Sequence, residues 1–148
     1  MSGSSIRCEY NISPKDVEED HRKEDVVFVG MLYTPEYHDL PDWRGVKASD
    51  SWAFSPKESF DYPYRQLLPQ KIEGLLGAGR SVIVPPPTIR DRWMVMLSGQ
   101  AAGSAAALSV KNGVVPRDLN VKELQRLLIE EFGVSFGDED RLQELGLS

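Results

Sequence analysis

Two runs of small and apolar residues constrain this chain more than anything else in it: Leu75-Leu76-Gly77-Ala78-Gly79-Arg80 and, further on, Gly99-Gln100-Ala101-Ala102-Gly103-Ser104-Ala105-Ala106-Ala107-Leu108. The first reads as a short buried strand, predicted over 72–78, that stops abruptly at Gly79-Arg80. The second opens a helix with almost no side-chain bulk in its first two turns. Ser98 is placed to cap that helix, which runs from Gly99 to about Lys111 and closes at Asn112-Gly113 in a left-handed C-cap. Packing alone favours Leu or Ile at such positions. Small residues there imply that a sheet, another backbone or a flat ligand lies against the helix start.

Elsewhere the pattern supplies the partners of these runs. Val26-Val27-Phe28-Val29-Gly30-Met31-Leu32-Tyr33 is predicted as a core strand with a bulge or close approach at Gly30. Ahead of it, residues 13–25 are dense in charge around a single aliphatic residue, Val17, and read as an exposed polar helix or loop. Residues 1–25 are thus a polar, acidic leader. Pro35, Pro41 and Pro56 break regular structure between residues 34 and 61, and Pro63 and Pro69 hold an extended path after it. Residues 81–84 continue extended into Pro85-Pro86-Pro87. Asn120 and Glu123 form a capping box for a helix that buries Val121, Leu124, Leu127 and Leu128 and ends at Gly133. A last short helix, 138–145, packs Leu142 and Leu145.

A chain of 148 residues is the size of one ordinary domain, and its net charge of −6 argues against nucleic acid as a partner. Arg80, Arg90 and Arg92, with Asp91 among them, make a small basic island suited to a small anionic ligand. No apolar run reaches membrane-spanning length and no secretion signal opens the sequence, so the expected location is the cytoplasm, with no membrane partner. Cys8, the single cysteine, excludes an internal disulfide and reads as an inert thiol near a loose terminus. His21 and His38 are too few for a metal site, and His38-Asp39 reads as a loop histidine. The sequence has no Gly-x-Ser-x-Gly, no phosphate-binding loop and no Gly-x-Gly-x-x-Gly, because Gly74, Gly77 and Gly79 have the wrong spacing. No catalytic residue can be named from these patterns.

Tyr62-Pro63-Tyr64-Arg65, Leu68-Pro69, Leu75-Leu76-x-Ala78-Gly79-Arg80, Arg90, Gly99-Gln100-Ala101-Ala102-Gly103-x-Ala105-Ala106 and Val115-Pro116-Arg117-Asp118-Leu119 follow one another in a telling order. Over 60–128, and more weakly at 26–29 and His38-Asp39, the chain resembles the C-terminal part of a family of FAD-dependent oxidoreductases of the two-dinucleotide-binding type. The resemblance implies an α/β fold: the C-terminal segment of an FAD-binding Rossmann-like domain at 72–148, joined to part of a β-rich substrate domain at 26–71. It also implies FAD as cofactor, held in an incomplete site by Gly79, Arg80, Arg90, Gly99, Gln100, Ala101, Ala102 and Gly103. In that picture Gly79 lets the backbone pass close to the cofactor and Arg80 reaches its ribityl or pyrophosphate region. The helix start at Gly99-Gln100 aims free N–H groups at the pyrimidine edge of the isoalloxazine, worth about 0.3–2 kcal/mol to an anionic ring. Ala101, Ala102 and Gly103 keep bulk off the ring, and Gln100 donates a hydrogen bond.

Departures from the family pattern matter as well. Arg90-Asp91-Arg92-Trp93 replaces the usual residues, the connection from Arg80 to Arg90 is short, and the proline run stands where a histidine is common, so the substrate-side pocket is altered. Without a nucleotide-binding glycine motif, the chain reads as a truncated enzyme or half of a split one, inactive alone and completed by an N-terminal FAD-binding polypeptide. The alternative is a non-catalytic interaction module on a flavoprotein-derived scaffold, with Trp43, Trp52 and Trp93 as its partner surface.

Overall fold

The computed structural model describes residues 5–13, 15–16, 22–31, 59–84 and 92–148. Expectations that fall on His21, His38, Trp43, Trp52, the proline run and Arg90 therefore lie outside the described residues.

β-branched and aromatic residues build a two-stranded antiparallel sheet from β1 (Val26–Met31) and β2 (Ser59–Pro63). Register places Phe28 opposite Tyr62 and Gly30 opposite Phe60, with an irregularity between Val26 and Phe28. Phe28 and Tyr62 stack at 4.5 Å, a cross-strand pair of the kind that stabilises sheets. The close approach expected at Gly30 is present: a Cβ there would lie 2.5 Å from the Phe60 ring and 3.3 Å from Met94 Sδ. β2 begins inside the stretch that the prolines marked as irregular, and a 3-10 turn, Tyr64–Leu67, follows it directly.

Three helices complete the described fold: α1 (Arg92–Asn112), α2 (Val121–Phe132) and α3 (Glu139–Glu144). α1 packs on β1 and on α2, and α2 also touches β1. The end of α1 at Gly113 and the end of α2 at Gly133 are both left-handed, with φ of +66° and +65°. Asn120 caps α2 by accepting from the Lys122 N–H at 3.0 Å. The expected reciprocal half of that box is replaced, because the Glu123 carboxylate accepts instead from Asn112 Nδ2 at 2.8 Å. In the last helix Leu145 is buried and Leu142 packs against the core, as expected. Gln125 is wholly buried, and its Nε2 donates to the carbonyls of Glu24 and Val26, fixing the entry to β1. No helix among the described residues is long and apolar enough to cross a membrane.

Three expectations are corrected. Residues 72–78 form no strand: Gly74 turns the chain at φ +70°, Ile72 and Leu75 are exposed, and the Gly77 N–H donates to the Leu67 carbonyl. An apolar run becomes a strand only where a neighbouring backbone offers a ladder, and here the segment at 6–9 takes that place beside Leu68-Pro69 and Val82. For the same reason the terminus around Cys8 is not loose. Ile6 bridges Val82, Cys8 bridges Pro69, and Gln66 accepts from the Ile12 N–H and donates to the Ile83 carbonyl. Cys8 is fully buried, which pushes its thiol up to about 11. Within the charged stretch, Asp16 and Lys23 are buried and paired at 3.2 Å. Burial works against the Asp16 charge, but the Ser13 hydroxyl and N–H and the Tyr10 hydroxyl hold its carboxyl below the ordinary range. The third correction concerns the start of α1.

Candidate functional site

α1 begins by Arg92, so Ser98 is an interior helix residue and not its cap. The free N–H groups of a helix belong to its first turn, here near Arg92, and the Gly99 N–H lies within the hydrogen-bonded ladder. Ser98 has another task. Its buried hydroxyl donates to the Val95 carbonyl at 2.7 Å and accepts from the Gly79 N–H at 2.9 Å. The turn ending at Gly79 is thereby docked onto the side of α1.

That docking explains the glycines of the first run. Gly79 has φ +58°, and a Cβ on it would lie 3.1 Å from Val95 Cγ1. At Gly77 a Cβ would come within 2.6 Å of Val82 Cγ1. Bulk at Gly79 would push the turn off the helix, and bulk at Gly77 would drive it into the Val82 side chain. Gly79 begins a 3-10 turn, Gly79–Ser81, on which Arg80 is exposed and Ser81 Oγ donates to the Ala78 carbonyl.

The helical run divides into two faces. Ala101 and Ala105 are turned into the core with Met94, Ser98 and Leu108. Gly99 and Gly103 are exposed, and a Cβ on either would meet nothing within 4 Å. Gln100 and Ala102 are half-buried between these faces. On the outer face Met96 is 72% exposed and Val110 83%, and no charged residue interrupts the helix between Arg92 and Lys111. The structure thus brings the Gly79 turn and the Ser98 region together. It turns Ala101 inward and places the helix N-terminus, with its partial positive charge, two turns before Gly99.

The outer face of α1 is uncharged and carries two exposed glycines, and the exposed Arg80 stands on the turn that docks at Ser98. The free N–H donors expected at Gly99 are not there, because helix α1 already runs through that residue, and the Gly79 N–H is itself taken by Ser98. Ser98 was missed as a site residue. Its only sequence signal, a serine before a glycine, is the signal of a helix cap.

The Tyr-Pro-Tyr-Arg motif proves to be architectural. Tyr64 Oη donates to the Pro116 carbonyl at 2.7 Å, and Arg65 grips Asp25 with Nε and Nη2 at 2.9 and 3.1 Å. Arg117, from the downstream motif, donates to the Pro69 carbonyl at 2.8 Å and pairs with Glu9.

A family model described as FAD dependent oxidoreductase matches residues 3–128. No curated protein and no solved structure matches the chain.

Proposed function

The chain belongs to the FAD dependent oxidoreductase family, with FAD as cofactor, and from that premise we propose that it supplies the isoalloxazine-facing part of the cofactor site. The observation that carries this is the bare outer face of α1. Glycine inside a helix costs roughly 0.5–1 kcal/mol relative to alanine. Neither Gly99 nor Gly103 has a described neighbour that demands it.

In this reading residues 72–148 are the flavin side of the fold and residues 26–71 the remnant of a substrate domain. Gly99 and Gly103 let a planar ring lie directly on the helix backbone, and Ala102 limits bulk beside it. Gln100 offers its amide to the polar edge of the ring. Arg80 and Arg90 supply positive charge for the phosphate-bearing tail. Ala101 acts only through packing, as part of the core that holds the helix straight. Bound FAD would supply the electron-transfer chemistry itself. No Gly-x-Gly-x-x-Gly stands in the sequence, so the adenosine half is assigned to polypeptide outside these residues. Val110 lies three turns from Gly99, and its exposure supports that polypeptide covering the rest of the same face.

Titration of the purified chain with riboflavin, FAD and ADP, followed by flavin fluorescence, tests the reading. FAD is expected to bind weakly and only a few-fold more tightly than riboflavin, through the phosphates that face Arg80 and Arg90, and ADP is expected to displace neither. FAD binding about 10-fold tighter than riboflavin, or about 1.4 kcal/mol, with displacement by ADP would put the adenosine grip inside this chain and overturn the division proposed. Quenching of neither flavin up to its solubility limit would overturn the site.

A further inference from the structure

We infer that residues 133–148 form a strap that opens and closes as one unit, latched on its sheet side by a single buried carboxylate, Asp61 of β2. The Asp61 side chain has no solvent exposure. It accepts from the Lys23 N–H at 2.8 Å, from Arg22 Nη1 at 2.9 Å and from Arg141 Nη2 at 2.9 Å. Arg22 and Lys23 arrive just ahead of β1, whereas Arg141 comes from α3, beyond the last residue of the family match.

The strap delivers its arginine already aimed. Asp138 caps α3 by accepting from the Arg141 N–H at 3.0 Å, and Glu144 accepts from Arg141 Nη1 at 3.1 Å. Arg141 Nη2 also donates to the Lys23 carbonyl at 3.0 Å. Gly137, at φ +140°, lies under the arginine stem, where a Cβ would come within 3.0 Å of Arg141 Cβ and Cγ. Only glycine satisfies both the backbone angle and that contact.

Other features make the latch reversible. Arg141 Nε is buried without a hydrogen-bond partner, a penalty carried only while the strap is closed. Desolvation of a buried ion pair offsets much of its attraction. Phe136 and Leu145 are the buried apolar side chains of the strap, and Val134, Leu142 and Leu147 are only partly buried against the core. An open cleft of about 370 Å³ is lined by Arg22, Phe136, Asp138, Arg141 and Glu144. Gly133, with its left-handed φ at the end of α2, is the pivot. On the helix side Lys122 Nζ holds the Leu145 carbonyl, a contact that a flexible lysine can follow or release.

Native-state hydrogen exchange on the full chain tests the strap. The amides of Leu142, Leu145 and Leu147, which donate to the carbonyls of Asp138, Arg141 and Leu142, are expected to share one protection factor. That factor should be about 10-fold below those of Leu124 and Leu128 in α2. Arg141→Gln should lower it about 10-fold further while α1 and α2 stay within about 3-fold of their original values. Strap amides that exchange at the α2 rate, or at rates scattered residue by residue, would overturn the inference, as would a variant that lowers protection evenly everywhere. If Arg141→Gln fails to fold, the unmutated chain's rates decide alone.

Discussion

On one side of α1, Met94, Ser98, Ala101, Ala105 and Leu108 are buried in the core, while on the other Met96, Gly99, Gly103 and Val110 face outward. The two faces draw on similar residues, and neither carries a charge between Arg92 and Lys111. A helix without a polar stripe is normally covered all round. Here the inner face has its cover in β1 and α2, and its small residues allow close packing. The outer face has glycines that no described neighbour calls for, next to two of the most exposed hydrophobic side chains among the described residues. Small residues inside the core belong to folding. On the open face the two glycines weaken the helix while no described neighbour demands them, and the proposed flavin contact rests on that.

If that division is right, changes on the inner face act on stability first. Met94→Ala should cost about 2–5 kcal/mol in chemical denaturation, because Met94 is 1% exposed and packs beside Gly30. A cost under about 1 kcal/mol would mean that the inner face is not a true core. Gly30→Ala should follow at about 1–3 kcal/mol, since its methyl group would be driven into the Phe60 ring. Both measurements read the fold alone and need no flavin.

Ser98 lies where the helix meets the Gly79 turn, and it sharpens the comparison in another way. Ser98→Ala leaves the buried Gly79 N–H without its acceptor, at a cost of about 1–3 kcal/mol. Heteronuclear NMR on the variant should show the Gly79 amide shifting most, with α2 unchanged. An unshifted Gly79 resonance would mean that the turn is held to the helix by something other than this bond.

Legibility in the sequence followed how local the physics was. β1, the caps at Asn120 and Gly133, and the packing of Leu142 and Leu145 were readable from residues a few positions apart, and Gly30 was readable as the one break in an apolar run although its contacts, Phe60 and Met94, come from far along the chain. The start of α1 was not. Residues 93–97 are apolar without a polar stripe, and the hydroxyl of Ser98 serves a partner nineteen positions upstream. The N-terminal segment was hidden for the same reason. Cys8 and Ile12 stand among polar residues, and only the contacts with Pro69 and Gln66, more than fifty positions away, make them core. In the candidate site, Gly79 and the bare helical run stood out as unusual. Their division between core and open face needed the helix to be placed, since moving its start from Gly99 to Arg92 decides which N–H groups are free.

The smallest expected effect is also the one that separates folding from function most cleanly. Gly99→Ala and Gly103→Ala place a methyl group in open space within a helix, so each should stabilise the chain by about 0.5–1 kcal/mol, raising the denaturation midpoint. In the same proteins, riboflavin quenching should weaken, because the added carbon lifts a planar ring off the backbone. A glycine required by the fold would instead lose stability on substitution, with binding reduced only indirectly. A gain in stability with unchanged flavin binding would leave the outer face to a polypeptide partner instead of the ring. The sign of the stability change and the sign of the binding change must therefore differ, since no effect on folding alone moves both in those directions.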